Sequence, residues 1–182
     1  MKKNILVIYY TQSGQLEDIV KNIALPFEEK SEQYDVTYYN IRLKKDFPFP
    51  WSGNVFFNTF PESYLQIPSE ILPPPEEVLN KKFDLILFGY QVWFLTPSIP
   101  IISFLKSEFA PKLIGGKPII TVSGTRNMWM LSQEKLKVYL KRMNAKLVGN
   151  IALVDRHDNY TSVLTILRWM TTGQKEKSGI LP

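Results

Sequence analysis

Residues 4–16 read NILVIYYTQSGQL. An apolar run, Ile5 to Tyr10, passes without a spacer into Thr11, Gln12, Ser13 and Gly14, and then into Leu16, Ile19, Val20, Ile23 and Ala24 at helical spacing. The change of pattern predicts a strand, a tight hydroxyl-rich turn and an amphipathic helix that ends at Pro26. Such a turn brings backbone N–H groups, side-chain hydroxyls and the positive end of a helix to one point, where an anion such as a phosphate is stabilised. The alternative is a turn that merely caps the helix. No lysine and no triple-glycine spacing accompany it, so neither a nucleotide-triphosphate loop nor a dinucleotide fingerprint is present.

Outward from this stretch the pattern repeats. Tyr34 to Ile41 reads as a second strand, Phe83 to Gly89 as a third, Lys117 to Ser123 as a fourth and Leu147 to Val154 as a fifth. A helix capped by Ser98, with Pro100 in its first turn, follows the third. Leu136, Tyr139, Leu140 and Met143 form the inner face of the next helix, and a last helix is expected around Ser162 to Met170. Alternating strands and helices imply right-handed crossovers and an α/β doubly wound parallel sheet of five strands in the order 2-1-3-4-5. The expected organisation is one domain over residues 1–170 and a tail over 171–182. Ligands of such sheets sit beyond the carboxyl ends of the strands at the switch point, so the loops after strands 1, 3 and 4 carry the function.

Residues 42–80 break the rhythm with Pro48, Pro50, Pro61, Pro68 and Pro73 to Pro75 set among Phe47, Phe49, Trp51, Phe56, Phe57, Phe60 and Tyr64. A disordered linker is poor in aromatics. This is therefore an ordered excursion packed on the domain, with a short helix at Glu76 to Asn80, acting as a substrate lid or as an aromatic plug over a sheet edge.

The 182 residues include no cysteine and one histidine. Thiol catalysis, disulfides and thiolate metal sites are excluded, and no metal site is expected. No apolar run approaches the ~20 residues of a membrane helix, and the opening run lacks the features of a signal peptide, so the expected setting is soluble and cytoplasmic with no membrane span. A net charge of +5 favours anionic ligands. The basic residues form no stripe interleaved with aromatics, so nucleic acid is not an expected partner. Arg126 in the fourth strand's loop and His157, set among Asp155, Arg156 and Asp158, are the candidates for catalysis. An exposed loop arginine and a solvated loop are their respective alternatives.

Thr11-Gln12-Ser13-Gly14-Gln15-Leu16 resembles the phosphate loop of the flavodoxin-like superfamily, [ST]-x-T-G-x-T, with serine at the middle threonine and Leu16 in place of the last hydroxyl. Trp93-Phe94-Leu95-Thr96-Pro97-Ser98 resembles the W-F-x-x-P-[AS] segment of its quinone-reductase and NAD(P)H-dependent branch. The resemblance implies a flavodoxin-like fold and bound flavin mononucleotide (FMN), with Thr11, Gln12, Ser13, Gly14 and Gln15 at the phosphate. Tyr90, Gln91, Val92, Trp93 and Phe94 would border the ring, and Gly124, Thr125, Arg126 and Asn127 would form the third wall. NAD(P)H as electron donor and a homodimer are also implied by the branch.

Over most of its length the chain further resembles proteins labelled dialkylresorcinol-condensing enzymes, through FPFPW (Phe47 to Trp51), GYQVWFLTPSIPI (Gly89 to Ile101) and GTRNMW (Gly124 to Trp129). Those proteins occur beside ketosynthases in pigment pathways. Condensation by a ketosynthase uses a cysteine, which this chain lacks. Oxidation of a dialkylcyclohexanedione to a resorcinol suits a flavin fold better. Three classes of function remain: an FMN-dependent oxidoreductase acting on a quinone-like or cyclohexanedione substrate, a flavin-free accessory or scaffold that partners a ketosynthase, and an electron carrier. The positive charge disfavours the carrier, because flavodoxin carriers are usually acidic.

Overall fold

A computed structural model describes residues 2–125, 128–154, 164, 168–170, 172 and 173. Strands β1 (Lys3–Tyr9), β2 (Tyr34–Asn40), β3 (Leu85–Tyr90), β6 (Pro118–Thr125) and β7 (Lys146–Val154) form one parallel sheet ordered β2-β1-β3-β6-β7. Taken in chain order this is the expected 2-1-3-4-5. A separate two-stranded hairpin joins β4 (Val92–Trp93) to β5 (Thr96–Pro97).

The central strands are apolar on both faces because both faces are covered. Leu6, Ile8 and Tyr10 alternate toward a cluster that holds Phe88, Tyr90 and Phe104, together with Leu136 of α6 (Met130–Arg142). Ile5, Val7 and Tyr9 alternate toward the opposite cluster, which takes Leu16, Val20 and Ala24 from α1 (Gln15–Glu28). Close packing of α1 depends on two glycines. A Cβ on Gly89 would lie 2.8 Å from Val20 Cγ1 and 3.1 Å from Tyr9 Cβ, and one on Gly124 would lie 2.9 Å from Ile19 Cδ1.

Three expectations about local structure are corrected. Helix α1 runs through Pro26 to Glu28, because a proline in the last turn forfeits little and the Glu29 N–H still reaches the Leu25 carbonyl at 3.0 Å. The excursion holds a helix, α2 (Gly53–Tyr64), that its prolines had argued against. Ser52 caps α2 by accepting from the Val55 N–H at 3.3 Å, and Pro61 sits inside it. The excursion's second helix, α3 (Glu76–Leu79), lies at the expected place. Finally, the connection after β3 is a hairpin and not an open loop. It leads into α4 (Ile99–Lys106), which begins after Ser98 as expected, and then into α5 (Phe109–Ile114).

The expected last helix falls largely outside the described residues, as do the 155–159 cluster with His157 and most of the tail. Among the described residues no helix is long and apolar enough to cross a membrane, and no group of acidic and histidine side chains could hold a metal.

Candidate functional site

The turn at residues 11–14 lies where β1 passes into α1, beside the switch between β1 and β3. Thr11 Oγ1 accepts from the Gly14 N–H at 3.0 Å and closes the turn. Gly14 has φ 86° and no side chain caps the helix that follows, so the first-turn donors of α1 face outward unclaimed by a capping group. A Cβ on Gly14 would meet nothing within 4 Å, so the left-handed backbone, not crowding, calls for glycine here. Ser13 is half-buried and its hydroxyl makes no hydrogen bond among the described residues, while Gln15 is exposed. Leu16 is buried with Val20 and Ala24 in the core, so its side chain is committed to packing. Gln12 points elsewhere: its Nε2 donates to the Pro48 carbonyl at 2.6 Å, tying the turn to the excursion.

The segment after β3 divides into braces and surface. Tyr90 is fully buried, and its hydroxyl donates to Gln133 Oε1 at 2.7 Å, with burial pushing its pKa up to about 12. Its side chain therefore belongs to the core. Gln91 donates from Nε2 to the Tyr10 carbonyl at 2.6 Å and accepts from Ser98 Oγ at 3.2 Å, locking the ends of β1 and β3 to the start of α4. Val92 and Trp93 form the first arm of the hairpin, whose tip, Phe94 and Leu95, has φ of 48° and 66°. Two left-handed residues suit the twist of a two-residue hairpin, but without glycine each costs roughly 1–2 kcal/mol. Ser63 of α2 and Thr96 hold the tip. Thr96 Oγ1 donates at 2.8 Å to the Trp93 carbonyl, which also accepts from Ser63 Oγ at 3.1 Å.

Aromatic rings cover the hairpin. Trp93 packs against Tyr10 at 6.3 Å, Phe47 at 5.1 Å and Trp51 at 5.0 Å, and Phe94 against Phe56 at 5.0 Å and Phe60 at 4.9 Å. Tyr10 follows β1 and Trp93 follows β3, so their edge contact bridges the switch point, with Phe47 and Trp51 of the excursion against Trp93. Burial, reinforced by Asp46, raises the Tyr10 pKa well above its ordinary value. The phenol stays neutral. The far side of the cover is tied down where the Trp51 N–H donates to the Met170 carbonyl at 2.6 Å and Phe49 meets the Trp169 ring at 5.1 Å. Trp51 Nε1 is buried without an acceptor among the described residues.

Gly124 and Thr125 end β6 beside α1, whereas Arg126 and Asn127 lie outside the described residues. The structure thus brings together the turn, the hairpin and the end of β6. Sequence reasoning named the loops but not the ring contacts among Tyr10, Phe47, Trp51 and Trp93, nor the Ser63–Thr96 clasp. The signal for the first was the density of aromatics in FPFPW. Two hydroxyls 33 residues apart left no signal for the second.

This architecture is the flavodoxin-like fold. A flavoprotein of Lactobacillus acidophilus NCFM solved in complex with FMN is 15% identical and superposes with a TM-score of 0.60 over 84% of this chain and 93% of its own. Oxidised Flavodoxin 1 of Bacillus cereus, 12% identical, gives 0.53 over 92% and 95% of the two chains. A Fusobacterium nucleatum flavodoxin variant bound to FMN, 15% identical, gives 0.50 over 87% and 79%. No family model matches the sequence, and comparison with curated proteins finds no match.

Proposed function

We propose that the chain binds FMN and works as a two-electron oxidoreductase on a quinone-like or dialkylcyclohexanedione ring. The observation that carries this is the turn of residues 11–14, an uncapped helix start with a left-handed glycine at the switch point of the sheet. Its donor set suits a phosphomonoester. Thr11 and Gly14 preform the turn, Ser13 Oγ and the first N–H groups of α1 are the donors to the phosphate, and Gln15 flanks them. When bound, FMN would supply hydride exchange at N5, passing hydride from NAD(P)H to a quinone-like ring or, with a cyclohexanedione, taking hydride from the substrate and passing the two electrons to an external electron acceptor. Val92, Trp93 and Phe94 border the ring, and Gly124, Thr125, Arg126 and Asn127 are the candidates for its polar edge. Tyr90 and Gln91 act one layer below as supports. The aromatic cover excludes water and offers an apolar wall to a ring bearing alkyl chains.

One observation favours a second reading. The Tyr10–Trp93 contact, overlaid by Phe47 and Trp51, occupies the mouth of the switch point with side chains. A flavin-free accessory protein, such as a partner of a ketosynthase, would keep that mouth filled. The deciding experiment is a visible absorption spectrum after adding FMN and removing the unbound excess by gel filtration. Retained flavin absorbance that falls in Ser13→Ala supports the oxidoreductase. Colourless, folded protein overturns it in favour of the accessory role.

A further inference from the structure

Along α2, on the side of Phe57, the chain exposes a run of large apolar side chains. Phe57, Phe60 and Tyr64 recur at i, i+3 and i+7, and the turn that follows adds Leu65 and Ile67. Phe57 is 73% and Leu65 65% exposed, so these side chains project from the surface and do not line a groove. Three cations ring the end of this stripe. Lys106 Nζ donates to the Gln66 carbonyl at 2.6 Å, and Lys135 Nζ stands 5.2 Å from the centre of the Tyr64 ring. The Arg142 guanidinium stands 5.7 Å from the Tyr139 ring, whose hydroxyl donates to Gln66 Oε1 at 2.9 Å. None of the three cations belongs to an ion pair among the described residues. Glu62 is the acidic side chain on the same helix.

We infer that this stripe seats the protein on an anionic membrane surface, with Phe57, Phe60, Tyr64, Leu65 and Ile67 in the headgroup and acyl boundary and Lys106, Lys135 and Arg142 at the lipid phosphates. Projecting apolar side chains flanked by cations are the chemistry of an interfacial helix. A fluid acyl layer accepts projections of mixed shape, whereas a folded partner needs a complementary groove. A second copy of this chain is disfavoured by charge, because two-fold packing of the stripe would bring the cations of one protomer toward those of the other, in a molecule already at +5. Phe60 of the stripe and Phe56 beside it also meet the Phe94 ring, so a seated molecule holds its candidate site close to the bilayer.

The test is co-flotation of the full chain with vesicles of phosphatidylcholine alone and of phosphatidylcholine mixed with phosphatidylglycerol, with sedimentation velocity run on the same samples. The expected result is partition onto the anionic vesicles only, weakened by salt. It should fall about tenfold for each of Phe57→Ser and Leu65→Ser and about fivefold for Lys135→Gln. Circular dichroism confirms folding of each variant. Absence of partition, or partition that these substitutions leave unchanged, overturns the proposal. Self-association lost in Phe57→Ser, without vesicle binding, reassigns the stripe to a second copy. Binding of a purified acidic protein in preference to both vesicles reassigns it to that partner.

Discussion

At the scale of single residues, the glycines of this chain do different work, and substitution separates them. Gly14→Ala places a Cβ in open space on a left-handed backbone, so the cost is conformational, about 1 kcal/mol by urea unfolding. Gly89→Ala drives a Cβ into Val20 and Tyr9 across the α1 interface, and should cost about 1–3 kcal/mol with α1 displaced. If the turn holds a phosphate, Gly14→Ala also weakens FMN retention by more than Gly89→Ala does, despite the smaller loss of stability. Thr96 is the other decisive residue. Its buried hydroxyl lies within reach of both the Trp93 and the Ser63 carbonyls, so Thr96→Val removes one buried donor, while Ser63 Oγ still serves the first carbonyl and the Gln66 N–H the second. The expected loss is about 1 kcal/mol in a denaturant melt, accompanied by a change in tryptophan fluorescence as the hairpin tip at Phe94 and Leu95 relaxes.

At the scale of elements, α1 and the excursion carry the separable effects. Glu17 in the first turn of α1 has its carboxylate pKa lowered from 4.5, first by the hydrogen bond from Lys21 and then by neighbouring charges, against burial. A depressed carboxylate pKa stabilises the fold above the unfolded value, and that contribution disappears as the pH falls through the folded one. Glu17→Gln should therefore lower the melting temperature slightly near neutrality and leave it unchanged in strong acid. Because the pair is partly exposed, the difference should also shrink in high salt. In the excursion, Trp51→Ala removes a buried ring from the Phe47, Phe56 and Trp93 packing and should cost about 3–5 kcal/mol. The milder Phe47→Leu uncovers Trp93. FMN retention should rise if the cover competes with the ring, and fall if the cover forms one wall of the ring site.

At the scale of the whole molecule, buried phenols set the alkaline limit. Tyr9, Tyr39 and Tyr90 are pushed up from 10.0 to about 12 by burial. A raised acid pKa means that their contribution is full below pH 10 and is lost as the pH climbs through about 12. An absorbance titration should show these tyrosines ionising together with loss of structure, after the exposed ones. The sheet order was legible because the apolar runs at Ile5 to Tyr10 and Phe83 to Gly89 are continuous, which only a strand covered on both faces tolerates. The turn at residues 11–14 was legible for a local reason, the change of pattern at Thr11. The cover was only half legible. Prolines mark where regular structure is interrupted, but Pro61 inside α2 shows that a good cap at Ser52 and tertiary packing outweigh a lost N–H. The ring contacts between Trp93 and Phe47 depend on where a long excursion returns to the sheet, and no local pattern encodes that.

The tie between the Trp51 N–H and the Met170 carbonyl also fixes an order of events on the ribosome. The sheet strands through β3, the turn and α2 have left the exit tunnel long before residue 170. At ordinary elongation rates that gap is on the order of ten seconds. Through that interval the FPFPW aromatics lack the partner that pins them. The cover therefore closes after the strands that precede it have emerged, so a ribosome stalled short of Met170 should carry a molecule with its sheet begun and its aromatic cover open to chaperones and proteases.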